Sequence, residues 1–415
     1  MTSPGVRSLW SRMSCSGSVL VEPSDVVLRN AGDVAMLEVA VTRLATLFPD
    51  APILVLSDTP ALVPRYRPNV VPIDTVGRRA WLNGNTRNAD ALAFVDAVAS
   101  ARLVAVAGMG GITDAFTVYA LGVLSTLDLA IRHGVPTAMM GQGIGPLSDC
   151  ALRARAVQVL PRVDWIALRE GRAGLPLLRA LGVPGERVCT TGDDAIELAV
   201  GQGGGDAPGW GLGVNLRASD YSGVNDDIIA SVRLGVQRAG VRVHAQLLAV
   251  PISRASGEED AATIRRLVGG YDAVLDEGFS IDTPQAVVEQ IKRCRVVVTG
   301  SYHAGVFALA CGIPVVGLAR STYYLDKFFG LAEQFGCGCE VVILDDADVP
   351  DRIDAAIRRL WAEAEELRAD LRTAAERQIA EGRAAYQHLR SLVGRRRVGR
   401  AVYKYGRALA ATWLK

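Results

Sequence analysis

The chain has little histidine, four residues in 415, and almost no net charge, with 45 basic side chains against 44 acidic ones. Without a basic surplus there is no global electrostatic footprint for nucleic acid, which needs a clustered positive field. The seven cysteines, at 15, 150, 189, 294, 311, 337 and 339, include no Cys-x-x-Cys pair. An odd, scattered set argues against a disulfide framework, and Cys337 with Cys339 lacks the second pair that a structural zinc requires. Free thiols in a reducing cytoplasm are the expected state, with no metal. Long apolar runs are missing too. Nothing before Glu22 has the apolar core of a secretory signal. The most apolar stretch, "DAFTVYALGVLSTLDLAI" from Asp114, carries Asp128 and several hydroxyls. It reads as a buried helix rather than a membrane span.

Half of the residues are hydrophobic and 21% are charged, the composition of a globular protein with large buried sheets. The length exceeds one ordinary core and predicts two or three domains. Residues 16–200 alternate short β-branched runs with helix-length segments: "GSVLVEP", "APILVLSD", "ARLVAVAGMGG", "VPTAMMGQGIG", "VDWIALRE" and "RVCTTGD" read as strands. Continuous apolar strands separated by helices imply a parallel sheet covered on both faces. The glycine-dense "VGQGGGDAPGWG" breaks the pattern, and a second α/β unit follows over 211–350. Residues 351–415 read as charged helix rich in i,i+4 Glu/Arg pairs. The predicted architecture is two doubly wound Rossmann-like domains facing a cleft, with C-terminal helices.

Three strand ends in the first unit are glycine-rich: "RNAGD" at 29–33, "GMGGITD" at 108–114 and "GQGIGP" at 141–146. Each lowers the rim where ligands bind in this architecture. Asp33 is expected to cap the helix that follows. None of the three is a phosphate loop of the G-x-x-x-x-G-K-[ST] type or a clean G-x-G-x-x-G fingerprint. Arg169 directly follows an apolar strand, and Arg217 holds the equivalent place in the second unit. Planar guanidinium forks at two strand ends suit a small anionic substrate. His303 follows "RVVVTGSY", at a strand-to-helix turn, where an imidazole near neutral pKa serves proton transfer. The other histidines are placed less suggestively: His133 at a helix C-terminus, His244 in mid-strand, and His388 on the charged helix.

Together these motifs resemble the polysaccharide pyruvyl transferase family. That family's "GN-x-GD-x-A-x-L", "GQ-x-IGP" and "LR[DE]" patterns correspond here to "RNAGDVAML", "GQGIGPL" and "ALREGRAG" with "TTGDDAIEL". Its Ser/His turn before a helix and its "G-x-P" correspond to "GSYHAGVFALACGIPVVGLA" with "YYLDKFFGLAEQFG". The resemblance spans roughly residues 18–340. It implies a GT-B fold and transfer of the pyruvyl group of phosphoenolpyruvate to a sugar of a glycan or glycolipid, forming a pyruvate ketal. The nearest alternative is a GT-B glycosyltransferase using a nucleotide-sugar donor.

By the same resemblance His303 and Arg169 are catalytic candidates. Arg217, Ser301, Lys327 and Arg320 are donor-binding candidates. Asn30, Gly32, Asp33, Gly110, Gly111 and Gln142 belong to the acceptor side, with the N-terminal unit as acceptor domain and the C-terminal unit as donor domain. Phosphoenolpyruvate enters as co-substrate, and no other cofactor is expected. Many relatives have Arg-Leu immediately before the histidine, where this chain has Ser301 and Tyr302; Arg320 or Lys327 is expected to supply the missing cation. The opening "GN" is here "RN". The last stretch, from Val393, holds seven Lys or Arg and no acid. Drawn as a helix it is amphipathic, the layout of a segment lying on an anionic membrane or docked on the N-terminal domain. A cytoplasmic enzyme, at the inner face of the cell membrane if its acceptor is lipid-linked, is the expected setting.

Overall fold

The computed structural model describes residues 17–412 apart from 67–69, 203–208, 255–259, 277, 279–280 and 346–347, with side chains through Gly394 except at 65, 66, 275 and 276. The core of the glycine-dense break and the side chains of the basic tail lie outside the described residues.

Two separate parallel sheets carry the fold. The first contains β1 (Val19–Glu22), β2 (Ile53–Ser57), β3 (Val71–Asp74), β4 (Leu103–Val106), β5 (Met109–Ile112), β6 (Thr137–Ile144), β7 (Trp165–Leu168) and β8 (Val188–Thr190). Its order is β3-β2-β1-β4-β6-β7-β8, with β5 paired to β6. The second contains β9 (Gly211–Asn215), β10 (Gln246–Ala249), β11 (Val274–Asp276), β12 (Cys294–Thr299), β13 (Val315–Ala319) and β14 (Cys339–Ile343), in the order β11-β10-β9-β12-β13-β14. The strand order reverses between β1 and β4 and again between β9 and β12. Those switch points open crevices at the strands' carboxyl ends, where this architecture binds ligands. The central strands β1, β4, β9 and β12 are buried on both faces, as their continuous apolar runs require.

Helix α1 (Ala31–Leu47) follows β1, and α2 (Thr117–Arg132) follows β5. The stretch Asp114–Arg132 is the one helical segment among the described residues with the length and apolar character of a membrane span. It packs Ala120, Val123, Leu124 and Leu127 into the first unit's core, which accounts for its composition. Helices α3 (Ala195–Gly201), α4 (Tyr302–Ala310), α5 (Thr322–Phe335) and the 64-residue α6 (Val349–Thr412) join the halves. One hydrophobic cluster takes Met36 and Val39 from α1, Ile196 from α3, Phe307 from α4 and Leu371 from α6. Further along, α6 buries Tyr386 and Leu389 against α1 and the first sheet. Tyr386 donates to Asp194 at 2.7 Å, and Asp194 pairs with Arg43 of α1 at 2.6 Å.

Three local expectations are corrected. The cap of α1 is Asn30, whose side chain accepts from the N–H groups of Gly32 and Asp33; Asp33 sits in the first turn instead. His244 is not in a strand: the preceding helix runs on to Arg242, and His244 turns the chain with φ +53° before β10. "MGGI" and "GQGI" are strand rather than strand end. Gly141, at φ +62°, bulges β6, and the register to β7 shifts between Met139 and Gln142.

Candidate active site

The two sheets' carboxyl ends face a cavity of about 310 Å³ lined from both halves. From the first half come the loop after β1, with Ser24, Asp25, Asn30 and Asp33, then Gly110 and Gly111 of β5, and Arg169 after β7. The second half supplies Arg217 after β9, Ser301, Tyr302 and His303 after β12, and Tyr323 and Lys327 of α5. The halves also bond directly across the rim. Asn30 and Ser253 form an antiparallel bridge, Ala31 donates to the Ile252 carbonyl at 2.9 Å, and Arg254 donates to Arg29 at 3.0 Å.

Each side of that clasp is held by a carboxylate. Asp25 accepts from the backbone N–H groups of Val27, Arg29 and Asn30. Asp260 accepts from those of Ile252 and Ser253 and from the Asn215 amide, and it pairs with Arg217 at 3.2 Å. The loops that carry cavity residues are thereby fixed to the sheets beneath them.

Arg169 is 1% exposed. One guanidinium nitrogen reaches Asp193 at 3.2 Å, while Nε and Nη2 are buried without a hydrogen-bond partner among the described residues. The guanidinium carbon stands 4.1 Å from the centre of the Tyr302 ring, so the tyrosine in the place of the family's leucine forms a cation–π floor. Glycines make this possible. A Cβ on Gly143 would lie 2.9 Å from Arg169 Nε, and one on Gly110 would lie 2.8 Å from Arg169 Nη2 and 2.9 Å from Lys327 Nζ. The guanidinium and the amine therefore meet at one glycine. Burial, then the Arg169 charge, pushes the Lys327 amine well below its ordinary range. It hydrogen-bonds the Tyr323 hydroxyl and lies 3.7 Å from that ring's centre.

His303 is 8% exposed and lies against α1: a Cβ on Gly32 would fall 2.1 Å from its Nδ1. Its Nε2 has no hydrogen-bond partner among the described residues, with Asp193 Oδ2 3.7 Å away. Burial, reinforced by Arg169, Lys327 and Arg217, holds the imidazole well below its usual pKa, so it is neutral at neutral pH. Asp33 moves the other way. Burial first, then the Asp25 carboxylate, pushes its carboxyl up to about 7, against a hydrogen bond from Ser24 and the pull of Lys327 and Arg169.

The structure thus brings together Asn30, Asp33, Gly110, Gly111, Arg169, Arg217, Ser301, His303 and Lys327, with Gly32 behind the imidazole. Two candidates fall elsewhere. Gln142 is fully buried in β6, its amide donating to the carbonyls of Ala107 at 2.8 Å and Met140 at 2.7 Å, so it ties strands together beneath the site. Arg320 pairs with Asp345 at 2.6 Å and bonds the Gly223 carbonyl, away from the cavity lining. Lys327 is the cation that enters. Sequence reasoning missed Asp193, Ser24, Ser253 and the aromatic wall of Tyr221, Tyr323 and Tyr324. Tyr323 had a readable signal, one helical turn before Lys327, and Asp193 is the strand-end acid of "TTGDD". Tyr221 and Ser253 sit in loops with no pattern to mark them.

The fold is of the GT-B type. A family model for polysaccharide pyruvyl transferase matches residues 30–322, and the chain belongs to that family. No curated protein gave a significant match. Among solved structures, UDP-GlcNAc 2-epimerase from Neisseria meningitidis, bound to UDP-GlcNAc, aligns with TM-score 0.58 at 11% identity over 91% of this chain and 100% of the other. A glycosyltransferase from Rickettsia africae aligns with TM-score 0.56 at 11% identity over 91% of this chain and 98% of the other. At such identities the likeness is one of fold.

Proposed function

We propose that this enzyme transfers the pyruvyl group of phosphoenolpyruvate to two hydroxyls of a sugar in a glycan or glycolipid, forming a cyclic ketal and releasing phosphate. The observation that carries the reading is the convergence of Arg169, Arg217 and Lys327 on one cavity beside a neutral histidine. A donor bearing a carboxylate and a phosphate needs several cations converging on it, and the unpartnered Nε and Nη2 of Arg169 offer a two-pronged grip. Ser301 adds a hydroxyl at the same rim. His303 exchanges protons with the reacting groups, and Asn30, Asp33 and their loop form the acceptor side. Arg169 reaches the donor from the first half, so the donor is held by both halves and the closed cleft is the reactive one.

The test is to incubate purified protein with phosphoenolpyruvate and candidate free or lipid-linked glycans. Phosphate release is followed, and the product is checked for the mass gain of one pyruvate less one water. Transfer from a nucleotide sugar, with phosphoenolpyruvate inert, would replace this reading by the glycosyltransferase one. The setting at the inner membrane face belongs to the same proposal, and flotation with anionic vesicles, full-length against a chain stopped before Gly394, tests it.

A further inference from the structure

Ketal formation needs two proton-exchanging groups, because C3 of the donor gains a proton while the sugar hydroxyls lose theirs. One of them, His303, enters the cavity from the second half. We propose that Asp33 is the other: its carboxyl group, entering from the first half, delivers the proton to C3 while His303 Nε2 receives the proton of the attacking hydroxyl. This rests on the pyruvyl-transfer reading.

The placement is built rather than incidental. Asn30 caps α1 through the Gly32 and Asp33 N–H groups, which fixes the first turn. Gly32 lets that turn approach until its Cα touches the His303 ring, so Asp33 and His303 line one cavity from opposite halves. The groups facing Asp33 come from every neighbouring element: Ser24 and Asp25 after β1, Tyr119 of α2, Arg169 after β7, His303 of α4, and Tyr323 and Lys327 of α5. Their balance leaves Asp33 with a carboxyl that is protonated in part near neutral pH, and His303 unprotonated. Two groups pushed in opposite directions make an acid and a base at the same pH.

The steps balance. The Asp33 proton bonds to C3 using the C2–C3 π pair, and the first hydroxyl oxygen bonds to the electrophilic C2 while its proton passes to His303. Phosphate then leaves with the C2–O pair and takes the proton held by His303, and the second hydroxyl bonds to the oxocarbenium C2 so formed and returns its proton to Asp33. One hydroxyl proton has gone to the methyl group and one to phosphate, and both residues are restored.

The experiment compares wild type with Asp33→Asn and Asp33→Glu in phosphate release across the neutral pH range, with phosphoenolpyruvate binding measured calorimetrically and melting curves confirming the fold. Asp33→Asn is expected to bind donor within about threefold of wild type and to lose about 10²–10⁴-fold in kcat. The alkaline decline of kcat/KM near pH 7 disappears with it, and Asp33→Glu restores part of the rate with a displaced decline. An Asp33→Asn enzyme that keeps kcat within about threefold of wild type, or keeps the same alkaline decline, overturns the role. Unchanged turnover with weakened acceptor binding makes Asp33 an acceptor ligand only. A wild type that neither binds phosphoenolpyruvate nor releases phosphate from it overturns the transfer reading and this role together.

Discussion

Asp193 places Oδ2 3.2 Å from the Arg169 guanidinium and 3.7 Å from His303 Nε2, so one carboxylate from the end of β8 faces both catalytic candidates. Its other oxygen accepts from the Ala195 N–H at the start of α3, which fixes its position. Asp193→Asn keeps that backbone bond and removes the charge. The buried Arg169 then loses its ion-pair partner, a change that costs about 3–5 kcal/mol in buried pairs. We expect a lowered denaturation midpoint together with reduced turnover. A variant as stable and as active as wild type would mean that Arg169 does not depend on this carboxylate.

Gly32 is required by contact. A Cβ there would sit 1.9 Å from His303 Cγ, far inside contact distance. Gly32→Ala therefore gains helix propensity but forces the imidazole away from α1 and loosens the closed cleft. Displacements of about 1 Å at reacting groups cost about 100-fold in rate. Gly201→Ala, at an exposed helix position with nothing within 4 Å of the added carbon, is the matched control and is expected to be silent. Equal activities for the two variants would show that His303 does not need its contact with α1.

Gln142 separates a motif's structural part from its chemical part. Gln142→Leu leaves the Ala107 and Met140 carbonyls without their amide donor in a fully buried site, at about 1–3 kcal/mol for unpaired groups. Stability should fall while KM for the acceptor stays unchanged. A raised acceptor KM at unchanged stability would return Gln142 to the binding site.

The strands, their parallel order and the cleft were readable because doubly buried strands leave continuous apolar runs. Arg169, Arg217 and His303 were readable because strand ends in this architecture point into a crevice. What escaped depends on contacts between distant segments. Asn30 and Asp33 are both good caps by type, and only the loop wrapped on Asp25 decides between them. Gln142 was placed on the acceptor side by the resemblance of "GQGIGP" to the family's motif, whereas Gly141 makes a bulge and the Gln142 side chain is buried in the core. The choice between Arg320 and Lys327 turns on helix phase. Lys327 lies on the α5 face toward Gly110, and Arg320 precedes the helix and finds Asp345.

That difference gives a paired test of the donor site. Lys327→Met keeps most of the apolar stem and removes the charge near Arg169, so phosphoenolpyruvate binding should weaken by about tenfold or more, as loss of a charge-assisted contact implies. Arg320→Ala removes a surface ion pair, worth about 0–1 kcal/mol, and should leave donor affinity alone. Calorimetric titration of both variants decides it. Weaker binding in Arg320→Ala with normal binding in Lys327→Met would reverse the assignment.

Asp33 also makes stability depend on pH in a direction that can be stated in advance. Its carboxyl titrates at about 7 in the folded chain against 3.8 ordinarily, so between those values the folded state holds more protons than the unfolded one. Its contribution to stability is therefore full below about pH 4 and lost as pH rises through about 7. Asp33→Asn cannot ionise and escapes that loss. His303 acts oppositely: held below its usual pKa, it lowers stability as pH falls below its ordinary range, but it does so in both proteins and drops out of the comparison. The melting temperature of Asp33→Asn minus that of wild type should thus increase from acid to neutral pH and level off above it. A difference that stays flat or shrinks over that interval would mean that the Asp33 carboxyl titrates near its ordinary value, and the acid assigned to C3 would have to be sought in another side chain of the cavity.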